Sequence, residues 1–235
     1  MTRGVWAVVM LIVASCRSEG FAVDGGRLRS MGEAADRLKG IAERHAQAGD
    51  DLSPASPEVA ASLSVLCRPD EAEALSSLPS ERYREVTRYT RHVTSVMDVY
   101  SEAGDRAPSQ QHITDNVRAL SACYDTVLWS IRATLTTADK LVAETPDLLG
   151  SPKAVSSLAK LRTNMAVVLD GALETFTLPG IGPSWCERRL RPLLATTMAA
   201  AATMSRQDKE RLRDSVRAAE RCGVDLQALH RALAS

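Results

Sequence analysis

Apolar residues recur along most of this chain at intervals of three and four, which is the spacing of one face of an α-helix. The first such stretch contains Leu28, Met31, Leu38 and Ile41 and ends at Gly49. No segment combines strict alternation of apolar and polar residues with the turn residues of a hairpin. The pattern therefore predicts an all-α protein.

Proline, glycine and capping residues set the expected ends of these helices. Ser-Pro pairs at 56–57 and 151–152 place a capping serine before a first-turn proline. Ser-x-x-Glu at 184–187 and Ser-x-x-Asp at 205–208 resemble capping boxes, and Gly223 is placed to end a helix. Together with the apolar spacing, these signals predict helices at about 28–48, 58–67, 80–103, 109–144, 152–176, 185–204, 206–222 and 225–234.

The region 109–144 carries the strongest pattern and is expected to form one long helix. Its apolar residues recur every three or four positions from Ile113 to Val142, and such a stripe needs partners along its whole length. The predicted loops are short, which favours antiparallel neighbours. We therefore expect an antiparallel up-down helical bundle with a C-terminal helical hairpin packed on it, in one domain over 27–235.

The composition is that of a globular protein, because 45% of the 235 residues are hydrophobic and 25% are charged. The 29 basic and 29 acidic side chains cancel, which gives no general electrostatic reason to expect nucleic acid as a partner. Aromatic residues make up 4% of the chain, so a stacking surface for bases or sugars is disfavoured.

The chain begins with an apolar run, VWAVVMLIVA, behind one basic residue, Arg3. This run is too short to cross a membrane as a helix, but it matches the hydrophobic region of a signal peptide. It ends in Val13, Ala14, Ser15 and Cys16, and this sequence resembles a bacterial lipobox.

The resemblance implies that residues 1–15 are a signal peptide, that Cys16 carries the lipid, and that 16–26 form a tether. Arg17 stands where an aspartate signals retention at the inner membrane, so the resemblance implies the outer membrane, facing the periplasm or the cell surface. Two alternatives remain: cleavage by ordinary signal peptidase, for instance after Ala22, or a short buried helix that is not a signal.

Five cysteines become four once the first is lipidated or removed: Cys67, Cys123, Cys186 and Cys222. An even number in an oxidising compartment favours two disulfides, although buried free thiols are the alternative. The hairpin expected at the C-terminus places Cys186 and Cys222 at the same end and favours a bond between them. By elimination, Cys67 would pair with Cys123.

Catalytic and metal-binding motifs are not found in the sequence. The four histidines, His45, His92, His112 and His230, are scattered and stand in no metal-binding motif. The sequence also lacks a nucleophile elbow, a dinucleotide-binding glycine motif and a P-loop. We therefore expect a protein that is not an enzyme, with no catalytic residue, no cofactor and no metal.

One basic pattern stands out near the C-terminus. Lys209, Arg213, Arg217 and Arg221 recur every four residues and would form a ridge along one helix. Acidic residues interleave with them, so an ordinary solvated face is the simpler interpretation. The alternative is an anion-binding surface for a lipid, a polysaccharide or an acidic protein.

These observations predict a non-enzymatic, exported and lipid-anchored helical protein that binds a partner in the cell envelope. Its partners would be the membrane, through the anchor, and an envelope protein or anionic molecule whose identity the sequence does not reveal. The alternative is a periplasmic carrier that holds an apolar small molecule in the bundle core beside Trp129 and Trp185.

Overall fold

The computed structural model describes residues 25–201, 204–223 and 225–234, without the side chains at 190–193, 195, 199–200 and 222. These residues form ten α-helices and contain no strand, which confirms the all-α class. The helices are α1 (Gly25–Ala48), α2 (Pro57–Leu66), α3 (Pro69–Ala74), α4 (Tyr83–Gly104), α5 (Gln110–Ala119), α6 (Ser121–Glu144), α7 (Pro152–Glu174), α8 (Pro183–Ala201), α9 (Arg206–Ala219) and α10 (Gln227–Ala234).

Helix α6 lies at the centre and packs against α3, α4, α7 and α8. It buries hydroxyl-bearing residues as well as apolar ones, namely Thr126, Ser130, Thr134 and Thr137. Each of these hydroxyls bonds to a carbonyl of the preceding turn, so the polar atoms are satisfied inside the helix. Thr90 of α4 joins them through hydrogen bonds of 3.1 Å to the Ser130 carbonyl and 2.8 Å to the Thr134 hydroxyl.

The N-terminal group, α1–α4, packs on α6 through α3 and α4, while α1 covers α2 and α4. The predicted stripe of α1 is buried, and Leu38 is fully enclosed. Arg27 ties α1 to the next helices, because its guanidinium donates to the Glu71 carboxylate at 2.8 and 3.0 Å and to the Val65 carbonyl at 2.6 Å.

The C-terminal group, α7–α10, contacts α6 through α7 and α8. Helix α9 packs on α7, and α10 packs on both α8 and α9. The capping pair at the start of α9 is as predicted, since Ser205 Oγ accepts from the Asp208 amide at 3.1 Å. Gly223 follows the short 3-10 turn after α9 and takes the left-handed conformation, at φ +75°. This helix-ending role agrees with the prediction.

The long helix expected over 109–144 is divided in two at Leu120. Leu120 has φ −83° and ψ 14°, although hydrogen bonds continue on both sides of it. The bend lets Thr114 bond to the Pro179 carbonyl at 2.8 Å while Cys123 is held by a disulfide. Because neither proline nor glycine stands near Leu120, the sequence around it contains no signal for this break.

Several predicted boundaries shift by one or more residues. Helix α1 already includes Gly25, the first described residue, inside the expected tether, and the short helix α3 is not predicted by the apolar spacing. Helix α8 begins at Pro183, so Ser184 lies within its first turn and does not cap it. Ser56 occupies the capping position of α2, but its hydroxyl makes no capping bond. The antiparallel up-down order of the bundle and the single domain remain predictions.

Among the described residues, no helix combines the length and the uninterrupted apolar character that spanning a membrane requires.

Candidate functional site

A surface cavity of about 220 Å³ lies between the end of α1, the loop that follows it, the end of α4 and the start of α5. Its lining is mixed, with small apolar groups next to charged and polar ones: Ala42, His45, Ala46, Gly49, Asp50, Asp51, Leu52, Ala103, Arg106, His112 and Asn116. It brings two of the four histidines to one place, which the sequence did not indicate.

The first wall is formed where α1 ends. Gly49 takes φ +74°, a conformation open to glycine, and the Asp50 amide donates to the His45 carbonyl at 2.9 Å. The chain turns out of the helix here and places Asp50 and Asp51 on the cavity rim. Leu52 is buried and anchors the loop in the core, so the two carboxylates sit on a short, fixed segment.

The second wall comes from α4 and α5. The turn after α4 is closed by a bond of 3.1 Å from the Arg106 amide to the Ala103 carbonyl. Ser109 then caps α5 by accepting from the His112 amide at 3.2 Å. His112 and Asn116 are one helical turn apart, and Asn116 Nδ2 lies 3.2 Å from His112 Nε2.

The charged groups of the cavity are not paired with each other. Asp50, Asp51 and Arg106 are exposed, and their side chains make no hydrogen bond or ion pair with any other described residue. His45 Nε2 lies 3.5 Å from a carboxylate oxygen of Glu58, whereas His45 Nδ1 is buried without a hydrogen-bond partner. The cavity therefore offers groups of both charges to a ligand.

No three histidine, cysteine, aspartate or glutamate side chains converge as a metal-ligand set within the described residues. Comparison of the chain with models of known protein families, with curated proteins and with solved structures finds no match.

The predicted basic ridge lies on α9 and just after it, and its four members differ in their surroundings. The Arg213 guanidinium donates to the Leu233 carbonyl near the end of α10, and Arg217 pairs with Asp214 at 3.3 Å. Lys209 is half-buried, and Arg221 is exposed. Arg213 therefore stabilises the contact between two helices, and the anion-binding role of the ridge remains a prediction.

Arg189 of α8 precedes the ridge in the chain and stands beside Arg188, yet it lies in the interior with 5% of its side chain exposed. It forms an ion pair with Asp125 of α6, and its guanidinium carbon lies 5.1 Å from the ring centre of Trp185. Burial lowers the pKa of Arg189 to about 10, partly offset by Tyr124. A pKa of 10 still leaves the Arg189 guanidinium positively charged near neutral pH.

Trp185 is packed inside an aromatic cluster. Its ring meets those of Tyr124 and Phe176 edge-on, with centroids 6.3 and 5.8 Å apart. Trp129, the other tryptophan of the carrier hypothesis, is partly buried, with Arg132 over its ring at 5.1 Å. Neither tryptophan lines the clefts described next.

Two clefts in the bundle are mostly apolar and narrow. One, of about 20 Å³, lies beside Leu141 and Leu158, and the other, of about 30 Å³, beside Thr134 and Met165. Each has room for one or two water molecules. Both clefts are too small to hold the apolar small molecule that the carrier hypothesis requires.

Cys67 and Cys123 form a disulfide, with Cα atoms 4.4 Å apart, as sequence reasoning predicts by elimination. The bond joins the end of α2 to the first turn of α6. Cys186 is also disulfide-bonded, and a Cβ placed on Gly223 would lie 3.8 Å from Pro183 Cγ. The backbone beside Cys222 thus lies near the start of α8, which supports the Cys186–Cys222 prediction. The Cys222 side chain and all of Cys16 lie outside the described residues.

Proposed function

We propose that this chain is an exported, lipid-anchored helical protein of the cell envelope that acts by binding and not by catalysis. The observation that carries the proposal is the Cys67–Cys123 disulfide in a chain that begins with a signal-like sequence. Disulfides persist in the periplasm and outside the cell and are rare in the cytosol. The disulfide and the leader sequence therefore support the same compartment by independent routes.

Lipidation of Cys16 would hold the protein at the membrane. A lipobox cysteine receives three acyl chains, and each buried methylene contributes about 0.8 kcal/mol, whereas one chain alone binds only marginally. The segment between Cys16 and α1 would then act as a short tether. Arg17 favours sorting to the outer membrane.

The binding role is supported by the unpaired polar groups of the cavity formed by α1, α4 and α5. A second contact surface is proposed at Lys209, Arg217 and Arg221, where an acidic protein or anionic polymer would bind. Arg213 is already occupied by a backbone carbonyl. If this surface binds an anion, replacing Arg217 and Arg221 with glutamine will reduce the salt dependence of partner binding.

Palmitate labelling of bacteria that produce the full chain tests the anchor. We expect wild-type protein to be labelled and to sediment with membranes, and Cys16→Ala to lose both properties. Ser18→Ala, two residues beyond the proposed lipidation site, is the matched control and should behave as wild type. Labelling that persists in Cys16→Ala contradicts the proposal. An unlabelled wild-type protein whose mature N-terminus is Val23 would instead indicate cleavage after Ala22.

A further inference from the structure

We propose that the cavity between α1, α4 and α5 binds a small zwitterion that carries a carboxylate and an ammonium group, such as a short ω-amino acid. The inference deepens the binding role proposed above and rests on it, because it names the ligand class of the same cavity. It does not depend on the lipid anchor.

Charged groups of both signs line the cavity without pairing with one another. Arg106 lines the same cavity as Asp50 and Asp51, yet no side-chain nitrogen of Arg106 lies within 4.0 Å of either carboxylate. The side chains of Arg106, Asp50 and Asp51 also form no hydrogen bond or ion pair with any other described residue. One cationic and two anionic groups are thus available to a ligand that carries both charges. A ligand with a single charge would leave the groups of one sign unused.

The charged side chains of the cavity match the two ends of an amino acid in their hydrogen-bonding chemistry. A guanidinium offers a planar fork of N–H donors that matches a carboxylate, often through two parallel hydrogen bonds. Carboxylates accept the hydrogen bonds that an ammonium group donates. The cavity therefore has groups complementary to both ends of an amino acid.

The size and the apolar lining of the cavity suit a small ligand. The cavity, at about 220 Å³, is smaller than the roughly 300–1,000 Å³ of pockets for drug-sized ligands, so it suits a molecule with few heavy atoms. Ala42, Ala46 and Ala103 line it between the charged groups. Their methyl groups can contact the short methylene chain that separates the two charges of an ω-amino acid.

The experiment uses the mature protein purified in detergent and titrated with glycine, β-alanine and 4-aminobutyrate, whose charges lie progressively further apart. Butyrate and butylammonium carry one charge each and are the matched ligand controls. Binding is followed by NMR chemical-shift changes up to about 10 mM, which detects a Kd on the order of 1 mM. We expect at least one zwitterion to bind, with shifts confined to 42–52 and 103–116, and both single-charge analogues to bind at least about tenfold more weakly.

Two variants test the assigned residues. Arg106→Gln and Asp51→Asn should each weaken zwitterion binding by about tenfold or more, because each removes one charge-assisted contact. Arg211→Gln and Asp147→Asn alter exposed residues of the same types outside the cavity and should leave binding unchanged. Unfolding midpoints equal to that of wild type show that Arg106→Gln and Asp51→Asn are folded.

The inference is overturned if none of the three zwitterions binds, if butyrate or butylammonium binds equally well, or if the cavity variants bind as wild type does. Cys16→Ala separates this inference from the anchor proposal. Binding by Cys16→Ala together with absent palmitate labelling of the wild type would refute only the anchor. Normal labelling of the wild type without zwitterion binding would refute only the ligand class.

Discussion

The N-terminal group (α1–α4) and the C-terminal group (α7–α10) both pack on α6, but they differ in the charged residues that they bury. Met31, Leu38 and Ile41 are fully enclosed in the N-terminal group, which a disulfide also links to α6. The two charged residues that are fully buried among the described residues, Arg189 and Asp208, both belong to the C-terminal group.

In the C-terminal group, hydrogen bonds between side chains connect the helices. The Asp208 carboxylate accepts from Ser205 at 2.7 Å and from Thr163 of α7 at 3.2 Å. Ser215 of α9 donates to Asp170 of α7. Buried polar contacts are directional, whereas apolar contacts are not. Both groups therefore combine apolar burial with polar contacts between helices, but in the C-terminal group those contacts include two buried charged residues, Arg189 and Asp208.

The largest effect is expected from removing the cross-link of the N-terminal group. Cys67 and Cys123 are 56 residues apart, and in the chain-entropy model closing a loop of that length stabilises the fold by about 4 kcal/mol. The double variant Cys67→Ala/Cys123→Ala should therefore lower the free energy of unfolding by about this amount. Urea denaturation followed by circular dichroism measures it. A loss below about 1 kcal/mol would show that apolar burial alone holds the N-terminal group to α6.

A somewhat smaller effect is expected from breaking the ion pair of the C-terminal group. Asp125→Leu leaves the buried Arg189 without its counter-charge and should cost about 3 kcal/mol, at the low end for buried pairs because Asp125 is 28% exposed. Asp125→Leu/Arg189→Met should recover most of that loss, since no charge is then left unpaired. Asp139→Leu breaks the more exposed pair with Arg162 and serves as control, with an expected cost below about 1 kcal/mol. If the double variant is no more stable than Asp125→Leu, the pair does not act through its charge.

The smallest of the expected effects is a change of stability with pH that is caused by His92. This residue belongs to α4 and its ring faces α1. Its ring lies so close to Gly32 that a Cβ placed there would be 3.3 Å from Cε1. Burial lowers the pKa of His92, and the positive charges of Arg88 and Arg91 lower it further. The unfolded chain therefore binds this proton more readily than the folded one. Stability is expected to fall as the pH drops below about 6.5, the ordinary pKa of histidine.

His92→Gln tests this expectation because it removes the titrating group. Urea midpoints at several values between about pH 7.5 and 5 should fall less in the variant than in wild type. Burial raises the pKa of Asp98, so this residue changes stability with pH in the opposite direction to His92. Asp98 is present in both wild type and His92→Gln, so its contribution cancels when their pH profiles are subtracted. Parallel pH profiles for the two proteins would contradict the prediction.

Local sequence signals predict a helix boundary correctly where the boundary contains residues with a strong preference for that position. The C-terminal end of α1, the start of α7, the cap of α9 and the turn at Gly223 follow from glycine, proline and serine, whose preferences depend on a few neighbouring residues. The break at Leu120 does not follow from them. It depends on a disulfide and on bonds to the 179–180 loop, which are distant in sequence.

The candidate cavity could not be predicted for the same reason. Its two walls come from the end of α1 and the start of α5, and no local pattern shows that these segments meet. Gly49 followed by two aspartates is a visible helix end, but it does not reveal that Arg106 faces it. Likewise, Arg189 stands beside other arginines in the sequence, which gives no sign that its side chain is buried. Its burial results from the packing of α8 on α6.

The disulfide also bears on how an exported chain would mature. A chain that crosses the membrane from its N-terminus presents Cys67 to the oxidising side first, then Cys123, then Cys186 and Cys222. The observed Cys67–Cys123 bond joins the first two in that order, and the predicted Cys186–Cys222 bond would join the last two. Each cysteine would then find its native partner among thiols already exported or next to emerge. Oxidation in order of emergence would thus produce the native pairing directly, without disulfide isomerisation.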